Sequence, residues 1–537
     1  KTQRFTMMAK KFINDPLDVV EEMVCGICTV HSDRLVRLKG YNVVLHRNIE
    51  TIKASQVTLL SGGGSGHEPA HAGYIGDGML HGAVLGGVFA SPSTKSILAA
   101  IHAVGGPHGL LLIVKNYTGD RINFGQAALM ARGEGILVEM IVVDDDCALP
   151  KGKGVTGGRG VAGTVFVHKV AGAAAAEGLP LSEVAAVARS TAASLRTLGT
   201  SMGTCTVPGT VPSTPLDDKT IEVGLGIHGE PGMNRCPWKP SAELVADMID
   251  VISSRLPAPA PSSLKNEAAK ETSPSQAETQ PKKRNVRRIG AHQTSSTKLK
   301  LKSLSVKPDI DMNLRPCILM VNNLGGTPSM ELYVVAHDAL KICRKRGLNP
   351  KRMMVGTFMT ALEMQGVSLS VLVLDGEGGD DLLERIDSAT SAPAWSIHTF
   401  KIDPPLVRPV KLSIVVDPAV EAASRDAVFS ATAATSFVAA CDALIAAEPQ
   451  LTRWDQIAGD GDCGLTVQRG AIAVKKVIPS LIGNSAVAAY GAVADAVAES
   501  MGGTSGALLE VGFRAASNYL QDRAIAASSR YRSQSSK

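Results

Sequence analysis

Large rings are scarce in this chain: ten Phe, seven Tyr and three Trp among 537 residues, 4% aromatic, although 45% of positions are hydrophobic. A core so poor in aromatics has to be closed by aliphatic and small side chains, and a chain this long holds more than one core, so two or three domains are expected. No apolar run reaches the roughly 18 residues that a membrane span requires. The start, Lys1 to Lys11, is basic but has no apolar stretch of the signal-peptide kind. The expectation is a soluble cytoplasmic protein with no membrane partner. Nine cysteines are too few for a disulfide scaffold at this length, and Cys25-Gly26-Ile27-Cys28 has no second pair at zinc spacing. Those two are read as core residues of a helix, with a redox or metal role as the alternative. The net charge of +5 is uneven: between Pro257 and Pro308 eleven Lys and Arg meet three Glu, a balance of +8 that leaves the remainder near −3. Nucleic acid is therefore not an expected partner of the folded part.

Glycine, at 53 residues, is what the chain has in plenty. Its densest stretch, Ser61-Gly62-Gly63-Gly64-Ser65-Gly66-His67-Glu68-Pro69-Ala70-His71, follows β-prone Val57, Leu59 and Leu60. A buried strand leading into a glycine loop is expected, with the backbone free to approach a small ligand; a purely structural strand-to-helix turn is the alternative. There is no Lys-Ser/Thr ending and no G-x-G-x-x-G spacing, so neither a Walker A loop nor a dinucleotide fingerprint is present. Upstream, Asp15 and Pro16 read as the N-cap and first residue of a helix. Downstream, Val88 to Ser93 reads as a strand end turning into a helix, Leu110 to Val114 as a strand ending at Lys115, Ile136 to Val143 as another strand, Ala162 to Glu177 as a helix, and Ile221 to Ile227 as a strand delivering His228 into a glycine-flanked turn. This alternation predicts a parallel sheet covered on both faces, with Ser65, His67, Ser91, Lys115 and Asp120 at the carboxyl edge where ligands bind.

Residues 257–312, rich in Pro, Ser and Lys, are expected to be a disordered insertion. Their basic runs at 282–284 and 298–302 are open to reading as a nuclear signal or a nucleic-acid contact, a solvated loop being the simpler meaning. The strand Cys317 to Val321, a helix from Met330 to Arg344 and strands at 353–358 and 368–374 complete the α/β part. A proline-rich connection at 403–424 follows. Beyond it Phe437, Ala440, Cys441, Leu444 and Ile445 fall at helical spacing, and a separate helical domain begins near Arg425. Within it Asp455, Asp460 and Asp462 surround a glycine turn, hard oxygen donors that suit Mg2+ bridging nucleotide phosphates; a solvated turn is the alternative.

Taken in order, the glycine stretch, Lys115-Asn116-Tyr117-Thr118-Gly119-Asp120, Gly224 to Glu230, Val321 to Gly326, Gly356 to Met359 and Trp454 to Gly464 resemble the dihydroxyacetone kinase family, its single-chain ATP-dependent branch that includes the triokinase/FMN cyclases. The resemblance covers most of the chain outside 257–312. It implies an α/β substrate domain of two βα subdomains, its first part at 8–256 and its second part at 313–402, followed by an all-α nucleotide-binding domain at 425–537, a helical barrel about half as long as the family's. The implied reaction is phosphorylation of dihydroxyacetone, and of glyceraldehyde, with ATP and Mg2+. By the same resemblance the His228 imidazole adds to the substrate ketone to give a hemiaminal, Asp120 is the base and His67 its acid/base partner. Gly64, Ser65, Gly66, Ser91 and Lys115 position the triose. Asp455, Asp460 and Asp462 are implied metal ligands, and Asp460, Gly461, Asp462, Cys463, Thr504 and Ser505 nucleotide contacts. Relay-dependent members carry the nucleotide domain on a separate chain, so the fusion favours ATP. Two alternatives stay open: an FAD-splitting lyase forming cyclic FMN, and a triose-binding protein impaired in catalysis by its shortened nucleotide domain. A homodimer is also implied. His71, His81 and His108 are expected to be structural or solvent-facing.

Overall fold

The computed structural model describes residues 10–148, 157–210, 216–217, 219–258, 314–375, 378–395, 400–401, 428–458 and 461–534. The body of the expected insertion, the connection at 403–424 and Asp460 lie outside the described residues. The chain divides into two compact units that part between Pro404 and Pro405.

The first unit opens with α1 (Val19–Val30), β1 (Leu35–Arg37), β2 (Val43–His46), α2 (Ile49–Ser55), β3 (Thr58–Ser65), β4 (Gly82–Val88), α3 (Thr94–Val104), β5 (Leu110–Lys115), α4 (Thr118–Gly133) and β6 (Val138–Val143). Its six strands pair in the order β1-β2-β4-β3-β5-β6, with β4, β3, β5 and β6 parallel and the two outer strands antiparallel. Successive side chains of a strand point to opposite faces. Leu60, Leu112 and Val114 therefore pack with Ile97, Ile101 and Phe124 of α3 and α4, while Leu59, Leu111 and Ile113 enter a second core on the other face. Burial on both faces is why β5 reads as an unbroken apolar run.

That second core is shared with the rest of the unit: α5 (Thr164–Ala176), α6 (Leu181–Ala193), β7 (Leu195–Ser201), β8 (Thr220–Val223), β9 (Asn234–Pro237), α7 (Ser241–Arg255), β10 (Arg315–Asn323), α8 (Ser329–Lys345), β11 (Leu348–Gly356), β12 (Gly366–Val373), α9 (Gly379–Asp387) and β13 (Phe400–Lys401). These strands form a seven-stranded sheet, β13-β11-β10-β12-β7-β8-β9. One face, with Ile318, Met320 and Leu372, looks into the shared core, and the other, with Leu319, Val321, Leu369 and Val371, packs on Val245, Met248 and Ile249 of α7 and on Leu332 and Ala336 of α8.

Several expectations are corrected. The second sheet is mainly antiparallel, β10–β11 being its parallel pair. It joins β7 to β9, which precede residues 257–312, to strands that follow them. The glycines Gly62 to Gly64 continue β3 and do not form a loop. Strand β8 stops at Val223, and His228 stands in a turn begun by Gly224 at φ +77°. Helix α1 starts at Val19, because the Asp15 carboxylate accepts from the Leu17 N–H and closes a turn ahead of it. Cys25 is exposed and not core, its Sγ accepting from Arg37 Nη1 at 3.1 Å, whereas Cys28 is half-buried and packs against the shared core.

The second unit holds α10 (Ala431–Ala458), α11 (Cys463–Leu481), α12 (Ala486–Ser500) and α13 (Gly503–Gln534), around a core that includes Phe429, Cys441, Val474, Ile478, Val493 and Val497. Of the expected stripe, Phe437, Cys441 and Ile445 face this core, whereas Ala440 and Leu444 are exposed. By length and composition, residues 431–457 of α10 pass as a membrane-crossing helix, which the search for an unbroken apolar run misses because Thr435, Ser436, Asp442 and Glu448 interrupt it.

A helix-interior Gly→Ala change ordinarily stabilises by about 1 kcal/mol. At Gly172 in α5 the added methyl would lie 2.4 Å from Met79 Cα and 2.6 Å from the Gly78 carbonyl. Gly172→Ala is expected to reverse the sign and cost about 2 kcal/mol, measured by urea unfolding of the full chain.

Candidate functional site

The carboxyl ends of β3, β4 and β5 gather the residues singled out from the sequence. Strand β3 lies between β4 and β5; the chain passes from β3 to β4 on one side and from β4, through α3, to β5 on the other, a reversal that opens a crevice at a parallel sheet's carboxyl edge. Lys115 ends β5 and Asp120 sits in the first turn of α4; both are buried. A Cβ on Gly63 would lie 2.9 Å from Lys115 Nζ and 3.4 Å from Asp120 Oδ2, so glycine there is what lets both side chains pass over the strand. Ser91, from the β4–α3 turn, donates to Asp120 Oδ1 at 2.5 Å. Gly64 and Gly66 are close-approach positions: a Cβ on Gly64 would lie 2.6 Å from Ala90 N, and one on Gly66 2.8 Å from the Phe89 ring. The donors of their neighbours are already used. Ser65 Oγ donates to the Gly86 carbonyl at 2.7 Å, and Gly66 N–H to the Glu68 carboxylate at 2.9 Å.

The second sheet completes the site. The turn after β8 brings His228 beside His67, with ring centroids 4.8 Å apart. Phe89 stacks on His67 at 5.0 Å and meets His228 edge-on at 5.0 Å; Tyr117 meets His228 edge-on at 4.6 Å. His67 Nδ1–H donates to the Thr360 carbonyl at 2.8 Å, from the β11–β12 connection, which leaves Nε2 as an acceptor. Burial, then the charge of Lys115, holds His67 well below the usual imidazole range, so the ring is neutral. His228 Nδ1 pairs with Glu230 Oε1 at 2.8 Å, and Glu230 Oε2 accepts from the His228 N–H at 3.0 Å. With Nδ1 committed, the His228 lone pair is on Nε2. Three side-chain polar atoms here are buried with no hydrogen-bond partner among the described residues: His67 Nε2, Lys115 Nζ and Tyr117 Oη. Buried polar groups require partners, and these fit a small polyhydroxylated molecule.

Glu230, Tyr117 and Phe89 were quoted in motifs without a role in the site. The carboxylate two residues after His228 was a usable signal for Glu230. Nothing in the sequence marks Phe89, whose φ of +56° is a left-handed conformation that costs a non-glycine residue about 1–2 kcal/mol. His71 and His81 are buried, and His108 is exposed.

In the helical unit, Asp455 near the end of α10 accepts from the Cys463 N–H at 3.0 Å, Gly461 turns at φ +79°, and Asp462 immediately precedes α11. No group of three potential metal-ligating side chains gathers among the described residues; Asp455 and Asp462 precede and follow Asp460 in the sequence, and their hard oxygens are of the kind Mg2+ takes. Thr504 and Ser505 are exposed in the first turn of α13 behind Gly502 and Gly503, where free N–H groups suit an anion.

Orphaned donors and acceptors around a positioned imidazole, in a chain that adds a helical unit with an acidic turn, are the apparatus of an enzyme of the kinase class. Comparison with known proteins agrees. The Dak1 domain model matches residues 25–272 and 279–394, and the DAK2 domain model residues 457–533. Triokinase/FMN cyclase of Mus musculus is 39% identical over 521 residues, 96% of this chain and 80% of the relative. The dihydroxyacetone-binding subunit of a PTS-dependent dihydroxyacetone kinase from Listeria innocua is 40% identical over 70% of this chain and 97% of its own length. Among solved structures, C. freundii dihydroxyacetone kinase in complex with AMP-PNP and Mg2+ aligns with a TM-score of 0.59 and 28% identity, covering 96% of this chain and 83% of that one. The chain belongs to the dihydroxyacetone kinase family and is a kinase.

The buried imidazoles make stability depend on pH. His67 and His71 are held well below their ordinary value, and His81 and His168 at about 3, in each case mainly by burial. The unfolded chain takes up these protons below about pH 6.5 and the folded chain does not, so stability is full above that pH and lost as pH falls toward 3. Between pH 6.5 and 5 each group is expected to cost about 2 kcal/mol, visible as a steep acid shift in the urea midpoint; a flat midpoint over this window would contradict the burial of neutral rings.

Proposed function

We propose that the chain transfers the γ-phosphoryl group of ATP to dihydroxyacetone, and to glyceraldehyde, with the triose held as a hemiaminal on His228. The observation that carries this reading is the His228–Glu230 pair. It presents Nε2 in a pocket beside orphaned polar atoms of Lys115, His67 and Tyr117. Nε2 attacks the substrate carbonyl carbon and the carbonyl π electrons pass to oxygen. The Nδ1 proton passes to Glu230 and the alkoxide gains a proton from the Lys115 ammonium, so the adduct ends neutral. Glycerol has no carbonyl to trap and is excluded on the same ground. Asp120 takes the proton of the hydroxyl that is phosphorylated, and Ser91 orients its carboxylate. Mg2+ would be held by Asp455, Asp462 and Asp460 and would neutralise phosphate charge when bound. Gly461, Cys463, Thr504 and Ser505 are the remaining nucleotide contacts on this reading. The names of the triokinase/FMN cyclase relatives motivate cyclic FMN formation as a second reading. A cytoplasmic homodimer is the expected form, checked by fractionation and light scattering.

The test is ADP release with dihydroxyacetone run beside intact-mass detection of the adduct. His228→Ala is expected to remove both signals. Asp120→Asn should keep the adduct and slow ADP release by about 10²- to 10⁴-fold. Asp462→Ala should keep the adduct and lose turnover through nucleotide binding. An adduct persisting in the His228 variant would refute covalent capture, whereas an adduct without ADP release in the wild type would favour a triose-binding protein.

A further inference from the structure

Behind Glu230 lies a cation that the reaction sequence above does not use. Arg159 Nε donates to Asp146 Oδ2 at 2.6 Å and its Nη2 to the Gly224 carbonyl at 2.7 Å; its own carbonyl accepts from the Asp146 N–H at 3.0 Å. Asp146 is fixed in turn, Oδ1 accepting from the Ala148 N–H at 2.8 Å. Both side chains are largely buried, at 11% and 4% exposure. With Nε and Nη2 committed, Nη1 is the arm that reaches toward the site. A Cβ on Gly226 would lie 2.6 Å from Arg159 Nη1 and 2.0 Å from Glu230 Oε2, so Gly226 is the gap across which guanidinium and carboxylate face each other.

Burial pushes the Glu230 carboxyl up, yet the His228 hydrogen bond and charge bring it down to about 2. That help assumes a cationic His228. The nucleophile is the neutral ring, which gives Glu230 a hydrogen bond and no charge. In the reactive state the compensating cation has to come from elsewhere, and a guanidinium stays charged at every working pH. The other groups that act on or across this carboxylate are Tyr117, Lys115, Asp146 and Cys205. Tyr117 and Cys205 are neutral, both pushed up by burial, and Lys115 serves the substrate side.

We propose that Arg159, aimed by Asp146, is a positioning residue that keeps the His228–Glu230 pair in its singly protonated form, with the proton on Nδ1 and the lone pair on Nε2. Arg159 stabilises the more negative state of the pair and so lowers the pH at which the pair sheds its extra proton. Asp146 opposes it in charge while fixing it in place. Gly226 keeps the two sides in register.

This inference rests on the covalent reading of His228. Its test is the pH dependence of adduct formation by the full chain with [2-13C]dihydroxyacetone, followed between pH 5 and 9 by the loss of the carbonyl carbon signal. Arg159→Met is expected to move the half-formation pH upward by about one unit, a roughly tenfold loss on the acid limb that disappears in base. Arg159→Lys, which keeps the charge, should restore most of the shift. Asp146→Asn should move the midpoint downward, a sign that general damage to the fold would not produce. Circular dichroism and thermal unfolding check that each variant is folded. Should Arg159→Met fail to fold, an upward shift in Gly226→Ala, which wedges the pair apart and should behave like loss of Arg159, set against a downward shift in Asp146→Asn and a near wild-type midpoint in Arg159→Lys, decides the matter. A wild-type adduct with unshifted midpoints in the variants overturns the role of Arg159 alone; absence of a wild-type adduct at every pH overturns the covalent reading and this one with it.

Discussion

A lysine ammonium at 1% exposure with no hydrogen-bond partner among the described residues is the constraint around which the site is built. Lys115 enters at the end of β5, where strand pairing fixes its backbone, and its Nζ stands 5.8 Å above the Tyr117 ring. Burial lowers its affinity for the proton; the carboxylates of Asp120, Glu68, Glu230 and Asp145, in that order of influence, hold the charge in place. A buried ion missing its partner costs several kcal/mol, so this set of anions is a condition of the cation being there at all. Those anions are themselves anchored. Asp145 accepts from the Val161 and Gly163 N–H groups, and Glu68 from Gly66. What is left unsatisfied is the donor capacity of Lys115 itself, and a substrate oxygen is the group that fits it.

The same constraint explains why the two sheets cannot be separated without losing the site. His67 follows the first sheet, yet its ring is oriented by Thr360 from the second. The Leu362 N–H donates to the Gly66 carbonyl at 2.8 Å, Thr360 Oγ1 to the Glu68 carbonyl at 2.9 Å, and Tyr74 Oη to the Phe358 carbonyl at 2.6 Å. These bonds stitch the β11–β12 connection to the segment after β3. The glycines at 62 to 64 and 66 are therefore spent on passage and close approach, and the polar contacts come from the side chains around them.

How far the sequence could be read follows from this geometry. Strand β5, the helix start after Ser93 and the glycine stretch are local patterns, and Ser91, Lys115 and Asp120 fall where the periodicity places them. The mixed second sheet was not legible, because β7, β12 and β10 pair across the long segment at 257–312 and nothing local in Leu195 to Ser201 records its partner Gly366 to Leu372. Phe89 and Thr360 were missed for a related reason: one acts through a left-handed backbone and the other through a carbonyl oxygen, and neither property is encoded by residue type. Arg159 was invisible because its role depends on a gap at Gly226. Cys25 was misread as core because helical spacing does not say which face is covered; Arg37 and solvent take its face, while Cys28 packs inward.

Two imidazoles stand 4.8 Å apart at this site, and their unlike Nδ1 partners separate their chemistry. The proton on His67 Nδ1 is held by a peptide carbonyl, which cannot take it up, so a bond formed at Nε2 would leave a cationic ring in a dry site beside Lys115. The proton on His228 Nδ1 is held by a carboxylate, which can accept it as Nε2 forms a bond, and the resulting neutral adduct escapes that penalty. An unpaired cation in such surroundings costs several kcal/mol, enough to decide between two otherwise equivalent nitrogens. On the covalent reading proposed above, capture falls to His228, and His67 is restricted to accepting hydrogen bonds, or a proton, through Nε2. The assignment turns on the difference between a carbonyl and a carboxylate at the far side of each ring.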